Sequence, residues 1–240
     1  MTSYLFIAGA CHGGWCWELI EPLLQQRGHE TRAIDLPGMG GDRPRYADVS
    51  LNLWARSAAD AALTLPAPRV VVAHSRGGIV ASQASELLGE ECAGSIYIAA
   101  LLVPDGVSGF EAAAWSGAPA IAANIAVDGA SMSLDRAVAR DRLYNRTPEE
   151  LAEHALDRLE PEPLAPLAQK LVLSKARYGV VPRTFLACAR DNSTIDAKLR
   201  GEMLSRSPCE MVRVIDADHS PFYSAPADLV EAILAAPLRI

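Results

Sequence analysis

The chain has 240 residues, of which 50% are hydrophobic and 21% are charged, and its formal net charge is −7. This length suits one domain with an ample core, with or without a small insertion. The acidic balance and the scattered basic residues exclude a nucleic-acid surface, which needs a clustered basic face. No run reaches the roughly 20 apolar residues of a membrane span, and the N-terminus has no basic, apolar leader. We therefore expect neither a membrane anchor nor a signal peptide.

Short apolar runs alternate with helical patterns along most of the chain. Buried strands are predicted at Tyr4–Gly9, Glu30–Asp35, Arg69–His74, Gly94–Ala100, Pro182–Cys188 and Glu210–Ile215. Helices are predicted at Trp15–Gln26, Leu51–Thr64, Arg76–Leu88, Ile195–Ser205 and Pro226–Ala235. Continuous apolar strands between helices indicate a sheet covered on both faces, because an exposed face would show alternation with a period of two. The predicted fold class is α/β, with a mostly parallel sheet of six strands flanked by helices.

The pattern changes after the fourth predicted strand. The stretch that follows holds no convincing strand, and its clearest signal is a helix that Pro148 opens and Thr147 caps. We expect a helical cap at residues 104–178, placed over one end of the sheet. The core domain would then consist of residues 1–103 and 179–240.

Cysteine usage points to a reducing compartment. The five cysteines are odd in number and lack the paired spacing of zinc sites: Cys11, Cys16, Cys92, Cys188 and Cys209. We expect reduced, buried thiols and a cytoplasmic location. No cluster of metal ligands or phosphate-binding glycine loop is visible, so neither a metal nor a cofactor is predicted. The oligomeric state stays open, and a homodimer is compatible with the sequence.

The segment 69–78 carries the strongest chemical signal. A β-branched strand runs into Ser75 and then at once into glycines that open a helix, which is the strand–turn–helix context of a nucleophile elbow. Such a turn strains the serine backbone and lifts its hydroxyl above the sheet edge. The positions two before and two after the serine must therefore be small. They are Ala73 and Gly77, and alanine meets the steric demand at the position where glycine is usual.

A serine nucleophile needs an adjacent base, because its hydroxyl is protonated near neutral pH. In proteins with a nucleophile elbow of this kind, the acid and the histidine follow the serine in chain order, each just beyond a strand. Of the five histidines, only His219 follows the last predicted strand. We assign the acid to Asp191, with Asp105 and Asp196 as alternatives. Asp218, beside the histidine, is interpreted as a residue that shapes the loop.

A tetrahedral intermediate also needs hydrogen-bond donors for its oxyanion. One is expected to be the backbone N–H of Arg76, which opens the helix after the nucleophile, where the helix dipole assists. The other is expected from the glycine-rich loop at residues 9–15. The Arg76 side chain is unusual, because it places a charge that arginine cannot shed beside the site. Three alternatives stay open for this guanidinium: it pairs with a carboxylate of the protein, it points into solvent, or it contacts an anionic group of the substrate.

Four strings together resemble one group of α/β-hydrolases. They are Gly-Ala-Cys-His-Gly-Gly-Trp-Cys-Trp at 9–17, the elbow around Ser75, Cys-Ala-Arg-Asp at 188–191 and Ala-Asp-His at 217–219. This set is similar to the plant methylesterase and hydroxynitrile lyase group, whose bacterial relatives include esterases and pyrethroid-type hydrolases. The resemblance implies a catalytic triad of Ser75, Asp191 and His219. It also implies an oxyanion hole made by the backbone N–H groups of Ala10 and Arg76.

The expected activity is hydrolysis of a small carboxylic ester, lactone or thioester through an acyl-enzyme on Ser75. Lyases of this group resemble one another in a lysine after the catalytic histidine and a threonine in the oxyanion loop. This chain has Ser220 and Gly9 at those positions, which disfavours the lyase alternative. A non-enzymatic receptor for a small ligand on the same scaffold is disfavoured by the intact triad. Trp115 and Arg76 are the candidate side chains for substrate contact.

Overall fold

The central sheet of the protein is parallel and has six strands. The computed structural model describes residues 1–40, 46–117, 130–193 and 195–239, together with the backbone of residues 125–128. The sheet contains β1 (Ser3–Ile7), β2 (Glu30–Ile34), β3 (Arg69–His74), β4 (Cys92–Ile98), β8 (Arg183–Cys188) and β9 (Met211–Ile215). Its order is β2-β1-β3-β4-β8-β9, and all five pairings are parallel. The predicted fold class and sheet are confirmed.

Helices cover both faces of this sheet. They are α1 (Ile20–Gln25), α2 (Leu51–Leu63), α3 (Gly77–Leu88), α8 (Ala197–Arg206), α9 (Pro221–Ser224) and α10 (Pro226–Leu234). Along β1, Leu5 and Ile7 belong to the core that α2, α3 and α8 cover, whereas Tyr4 and Phe6 belong to the core that α1 and α10 cover. Every β1 side chain is therefore buried, which explains the unbroken apolar run. None of the described helices combines the length and the apolar character needed to cross a membrane.

The segment between β4 and β8, residues 104–178, is called the insert below. Its helices are α4 (Gly109–Ala113), α5 (Arg136–Leu143), α6 (Glu149–Leu156) and α7 (Ala165–Ala168). It also contains a small antiparallel sheet of β5 (Ile125–Asp128), β6 (Ser131–Leu134) and β7 (Glu162–Pro163). This sheet corrects the expectation that the insert holds no strand. Strands of four, four and two residues are too short to show a recognisable alternation.

The start of α6 also differs from the prediction, and the difference ties the insert to the core. Pro148 is the N-cap residue and Thr147 does not cap the helix. The Thr147 hydroxyl instead donates to Asp218 Oδ2 at 2.8 Å, and the backbone N–H of Arg146 donates to the same oxygen at 2.9 Å. Asp218 precedes His219 on the loop after β9. The insert is thus bonded to the loop that carries the predicted base.

Candidate active site

Ser75 lies at the tight turn between β3 and α3. Its φ is +51°, in the left-handed region that non-glycine residues rarely adopt. The turn is held because the Ser75 N–H donates to the Ile98 carbonyl at 3.1 Å and the Ser75 carbonyl accepts from Leu101 N–H at 2.9 Å. A Cβ atom at Gly77 would lie 2.6 Å from the Ala8 carbonyl oxygen, so this position requires glycine. The turn therefore has the strain and the close approach that an elbow requires.

Three side chains form a hydrogen-bonded chain that ends at Ser75. Ser75 Oγ lies 2.9 Å from His219 Nε2, and His219 Nδ1 lies 3.0 Å from Asp191 Oδ2. Because an ionised carboxylate only accepts, Nδ1 carries the imidazole proton, and Nε2 accepts from the Ser75 hydroxyl. The side chains of His219 and Asp191 are only 1% and 5% exposed. The ends of β3, β8 and β9 thus bring together the three residues that the sequence singled out.

Asp191 is held in its ionised form despite its burial. Burial raises the pKa of Asp191, but the electrostatic interaction with His219 and the hydrogen bonds from His219 and Ser193 outweigh it, so the pKa lies below the ordinary aspartate value. The Ser193 N–H donates to Asp191 Oδ1 at 2.8 Å. The alternative acids are engaged elsewhere, because Asp105 accepts a hydrogen bond from the Leu173 N–H within the insert and Asp196 caps α8. The geometry therefore favours Asp191.

His74, directly before Ser75, supports the loop of His219. Its Nε2–H donates to the His219 backbone carbonyl at 2.8 Å. Burial, reinforced by electrostatic interaction with His219 and His12, lowers the pKa of His74 well below the ordinary histidine value. His74 is therefore neutral at pH 7 and adds no positive charge beside His219. Nothing in the sequence indicates this role, because a histidine at a strand end has many uses.

His12 plays a similar part in the glycine-rich loop. Its Nδ1–H donates to the Ala10 carbonyl at 2.6 Å, and its Nε2 accepts from the Tyr144 hydroxyl of the insert. Burial lowers the pKa of His12 to about 4, so the ring is neutral. The ring therefore joins the insert to the loop through two directed hydrogen bonds. Neither Tyr144 nor His12 was assigned this contact from the sequence.

The backbone N–H groups of Ala10 and Arg76 are the predicted oxyanion donors. Ala10 and Ser75 line the same cavity of about 30 Å³, to which the insert contributes Leu134 and Leu143. Arg76 is the residue after Ser75 and the N-cap of α3. Within the described ranges, neither N–H donates to an acceptor of the protein. Both donors are therefore unengaged among the residues that the structure describes, and their role as an oxyanion hole stays a prediction.

The Arg76 side chain meets a carboxylate of the insert. Arg76 Nη2 donates to Glu162 Oε2 and to the Gly9 carbonyl, both at 2.8 Å, and the guanidinium carbon lies 4.4 Å from the centre of the Trp54 ring. The side chains of Arg76 and Glu162 are 3% and 0% exposed. Of the three alternatives for the Arg76 side chain, the structure shows the first, an ion pair with a carboxylate of the protein. Nothing in the sequence indicates Glu162 as the partner, because it lies 86 residues further along the chain.

Trp115 lies on the side of the insert that faces α8. The guanidinium carbon of Arg206 sits 4.4 Å from the centre of its ring. Trp115 does not line the described cavity beside Ser75, where the insert instead places Leu134 and Leu143. The sequence could not separate these leucines from other apolar residues of the insert. A contact between Trp115 and the substrate stays a prediction.

The fold and the arrangement around Ser75 are those of an α/β hydrolase. A family model described as the alpha/beta hydrolase family matches residues 4–232, and the chain belongs to this family. A solved structure of a pyrethroid hydrolase from Sphingobium faniae JZ-2 is 25% identical with a TM-score of 0.86, and the match covers 97% of this chain and 96% of that one.

The relatives by sequence carry the names of plant methylesterases. A chloroplastic protein of Arabidopsis thaliana named methylesterase 11 is 30% identical over 97% of this chain, which spans 63% of that relative's length. Methylesterase 2 of the same plant is 28% identical, and the match covers 97% of this chain and 94% of the relative. The resemblance to the plant methylesterase group and its bacterial relatives is confirmed.

Proposed function

We propose that the protein is a serine esterase that cleaves a small carboxylic ester through an acyl-enzyme on Ser75. The observation that carries this proposal is the hydrogen-bonded chain from Ser75 through His219 to Asp191, built on a strained turn. A serine hydroxyl is a weak nucleophile unless a base accepts its proton as it attacks. His219 Nε2 is at hydrogen-bond distance for that transfer, and Asp191 fixes the tautomer that leaves Nε2 free to accept.

Each group has a role in two successive steps. In the first, Ser75 Oγ attacks the ester carbonyl, His219 takes the proton, and the oxyanion accepts hydrogen bonds from the N–H groups of Ala10 and Arg76. Collapse of the intermediate breaks the bond to the alcohol, which leaves with the proton from His219. In the second step water attacks the acyl-enzyme with His219 again as base, and the acid is released. Asp191 stays ionised throughout and stabilises the imidazolium.

The alcohol part of the substrate is proposed to be methanol or a similarly small alcohol. The names of the plant relatives support this choice. Apolar Leu134 and Leu143 beside Ser75 suit an apolar acyl group. Lactones and thioesters react through the same intermediate and belong in the test.

The two alternatives have less support. At position 220, where lyases of the resembling group carry lysine, Ser220 is fully buried and its N–H donates to Asp218 at 2.9 Å. The described site therefore offers no lysine there to stabilise cyanide. A receptor that only binds a ligand needs no proton acceptor next to a serine. The position of His219 beside Ser75 therefore favours an enzyme over a receptor.

The proposal is tested by labelling with a fluorophosphonate, followed by mass mapping of the adduct. We expect one adduct, at Ser75, and its loss in Ser75→Ala, while Ser205→Ala, at an exposed serine of α8, labels like the wild type. Hydrolysis is then measured on methyl, ethyl and butyl esters of one acid, with a lactone, a thioester and a cyanohydrin alongside. Labelling elsewhere, or turnover of the cyanohydrin alone, would overturn the proposal.

A cytoplasmic location is the remaining part of the proposal. All five cysteines are free thiols, and four of them are buried, which suits a reducing compartment. Fractionation of the producing cells checks the location. Association into a homodimer stays a separate prediction, for which light scattering is the measurement.

A further inference from the structure

One ion pair joins the nucleophile elbow, the insert and the glycine-rich loop. The Arg76 clamp, as we name it, consists of the side chains of Arg76 and Glu162. Arg76 Nη2 donates to the Gly9 carbonyl, and Glu162 Oε2 accepts from the Cys11 N–H at 2.9 Å as well as from Arg76. The clamp is therefore hydrogen-bonded to the loop on both sides of Ala10, whose N–H is one of the two predicted oxyanion donors.

The hydrogen bond from Arg76 to the Gly9 carbonyl constrains the orientation of the Ala10 N–H. The Gly9 carbonyl and the Ala10 N–H belong to one peptide unit, which is not among the cis bonds of the protein. In a planar trans peptide the two groups point in opposite directions. Holding the carbonyl on Arg76 therefore directs the Ala10 N–H away from the clamp, and Ala10 lines the same cavity as Ser75.

The next peptide unit is held as well. The Ala10 carbonyl accepts from His12 Nδ1–H at 2.6 Å, and the Cys11 N–H of the same unit donates to Glu162. Cys11 itself has a φ of +61°, a conformation that a side chain rarely adopts without such support. Both peptide planes that flank the Cα atom of Ala10 are therefore held by side chains, and the His12 N–H also donates to the Gly9 carbonyl, at 3.4 Å.

The charge on Arg76 also acts on the strength of the donor. A cation bonded to a carbonyl draws electron density out of the peptide unit, and hydrogen bonds in a chain polarise one another in a low-dielectric interior. Both side chains of the clamp are almost fully buried, so water does not screen this effect. Glu162 balances the charge, and the Trp54 ring lies over the guanidinium.

We propose that Arg76 and Glu162 are positioning residues of the oxyanion hole, which orient and polarise the Gly9–Ala10 peptide without touching the substrate. This inference rests on the proposed esterase activity. Removing one oxyanion donor costs about 10²–10³ in kcat in a serine protease. Loss of the clamp leaves the Ala10 N–H present but less firmly oriented, so we expect kcat to fall about tenfold to hundredfold.

The test uses two single variants and one double variant. Arg76→Met and Glu162→Gln each leave a buried charge without its partner and are expected to fold poorly. The double variant Arg76→Met/Glu162→Gln removes both charges together, and the glutamine oxygen still accepts from the Cys11 N–H. Arg158→Met is the matched control, because Arg158 also joins the insert to the core through an ion pair, with Glu18 at 3.0 Å.

The readouts are kcat and KM for p-nitrophenyl acetate and the inhibition constant of phenylboronic acid. Its adduct with a serine places an oxygen in the oxyanion hole. Active sites are counted by fluorophosphonate labelling of Ser75, so that only folded enzyme is compared. In the double variant we expect kcat to fall and the inhibition constant to rise by the same factor, while KM and the pH profile stay unchanged. Arg76→Lys, which keeps a cation, should retain more activity than Arg76→Met, and Arg158→Met should match the wild type within twofold.

Two results would overturn the inference. One is a folded double variant whose kcat and boronate inhibition lie within threefold of the wild type, which means that the clamp only stabilises the fold. The other is a rise in KM for p-nitrophenyl hemisuccinate alone, which means that Arg76 binds an anionic group of the substrate. Failure of Ser75 labelling in the wild type would instead refute the proposed function.

Discussion

Replacement of Asp191 by asparagine tests the proposed mechanism most directly, because the contacts of its two oxygens decide the outcome. Oδ1 accepts from the Ser193 N–H and Oδ2 accepts from His219 Nδ1. An asparagine has one oxygen and one NH₂ group for these two places. If the oxygen turned to His219, the NH₂ group would face the Ser193 N–H, and two donors would meet. The asparagine should therefore keep its oxygen on Ser193 and present NH₂ to His219.

This arrangement forces His219 into the wrong tautomer. Nδ1 becomes the acceptor and Nε2 carries the proton, so the ring cannot accept the proton of Ser75. In a serine protease the same change lowers kcat about 10⁴-fold, which corresponds to about 5.4 kcal/mol of lost transition-state stabilisation. We expect a loss of this size in Asp191→Asn, with KM nearly unchanged, since no substrate contact is removed.

The assay is steady-state hydrolysis of p-nitrophenyl acetate. The amount of intact, folded protein is determined by mass spectrometry, so that kcat is expressed per folded molecule. Asp105→Asn is the control. The amide oxygen can still accept the backbone hydrogen bond from the insert, so kcat should stay within about twofold, as for surface changes away from a site. A loss of less than tenfold in Asp191→Asn, or an equal loss in Asp105→Asn, would refute the assignment of the acid.

Three further predictions concern the scaffold of the site. Gly77→Ala places a Cβ atom 2.6 Å from a backbone oxygen and should lower the free energy of unfolding by about 1–3 kcal/mol. Gly201→Ala, with open space around it in α8, should raise that free energy by up to about 1 kcal/mol, and thermal denaturation separates the two. Thr147→Val removes a hydroxyl that donates to Asp218, at a cost of about 1.5–3 kcal/mol in urea unfolding; an unchanged midpoint would mean that this contact adds no stability. Because folding lowers the pKa of Asp191, its contribution to stability is present above the ordinary aspartate pKa and is lost as the pH falls through the lowered value. Urea unfolding between about pH 6 and pH 3 should therefore show a loss of stability that is smaller in Asp191→Asn.

Strand positions were largely predictable, because burial on both faces leaves an unbroken apolar run. The prediction for β3 agrees with the structure at both ends, Arg69 and His74. The prediction for β4 was displaced by two residues, since the strand begins at Cys92 and ends at Ile98. The apolar run continues past the strand end because Ala99, at a φ of +42°, leaves the strand and is still buried. Hydropathy records burial and cannot show where the chain turns.

The chemistry-bearing residues were predictable for a different reason. The proposed triad follows a fixed chain order, and each member lies where a parallel strand ends. The partners that orient these residues followed no such rule. The Arg76–Glu162 pair spans 86 residues and the Thr147–Asp218 contact spans 71, and neither leaves a periodic trace in the sequence. These contacts form only when the insert packs onto the core.

Asp218 has a consequence for how such enzymes diverge. Its carboxylate accepts hydrogen bonds from Arg146 and Thr147 of the insert. It also accepts hydrogen bonds from Ser220 and Ser224, which belong to the core. A chimaera that takes its insert from a relative would keep the buried carboxylate and lose two of these four donors unless the graft restores them. A foreign insert would then disturb the adjacent His219, the proposed base, whatever substrate pocket it brings. Exchange of inserts between lineages is therefore constrained at this junction, and new specificities should arise more readily by point changes within the resident insert.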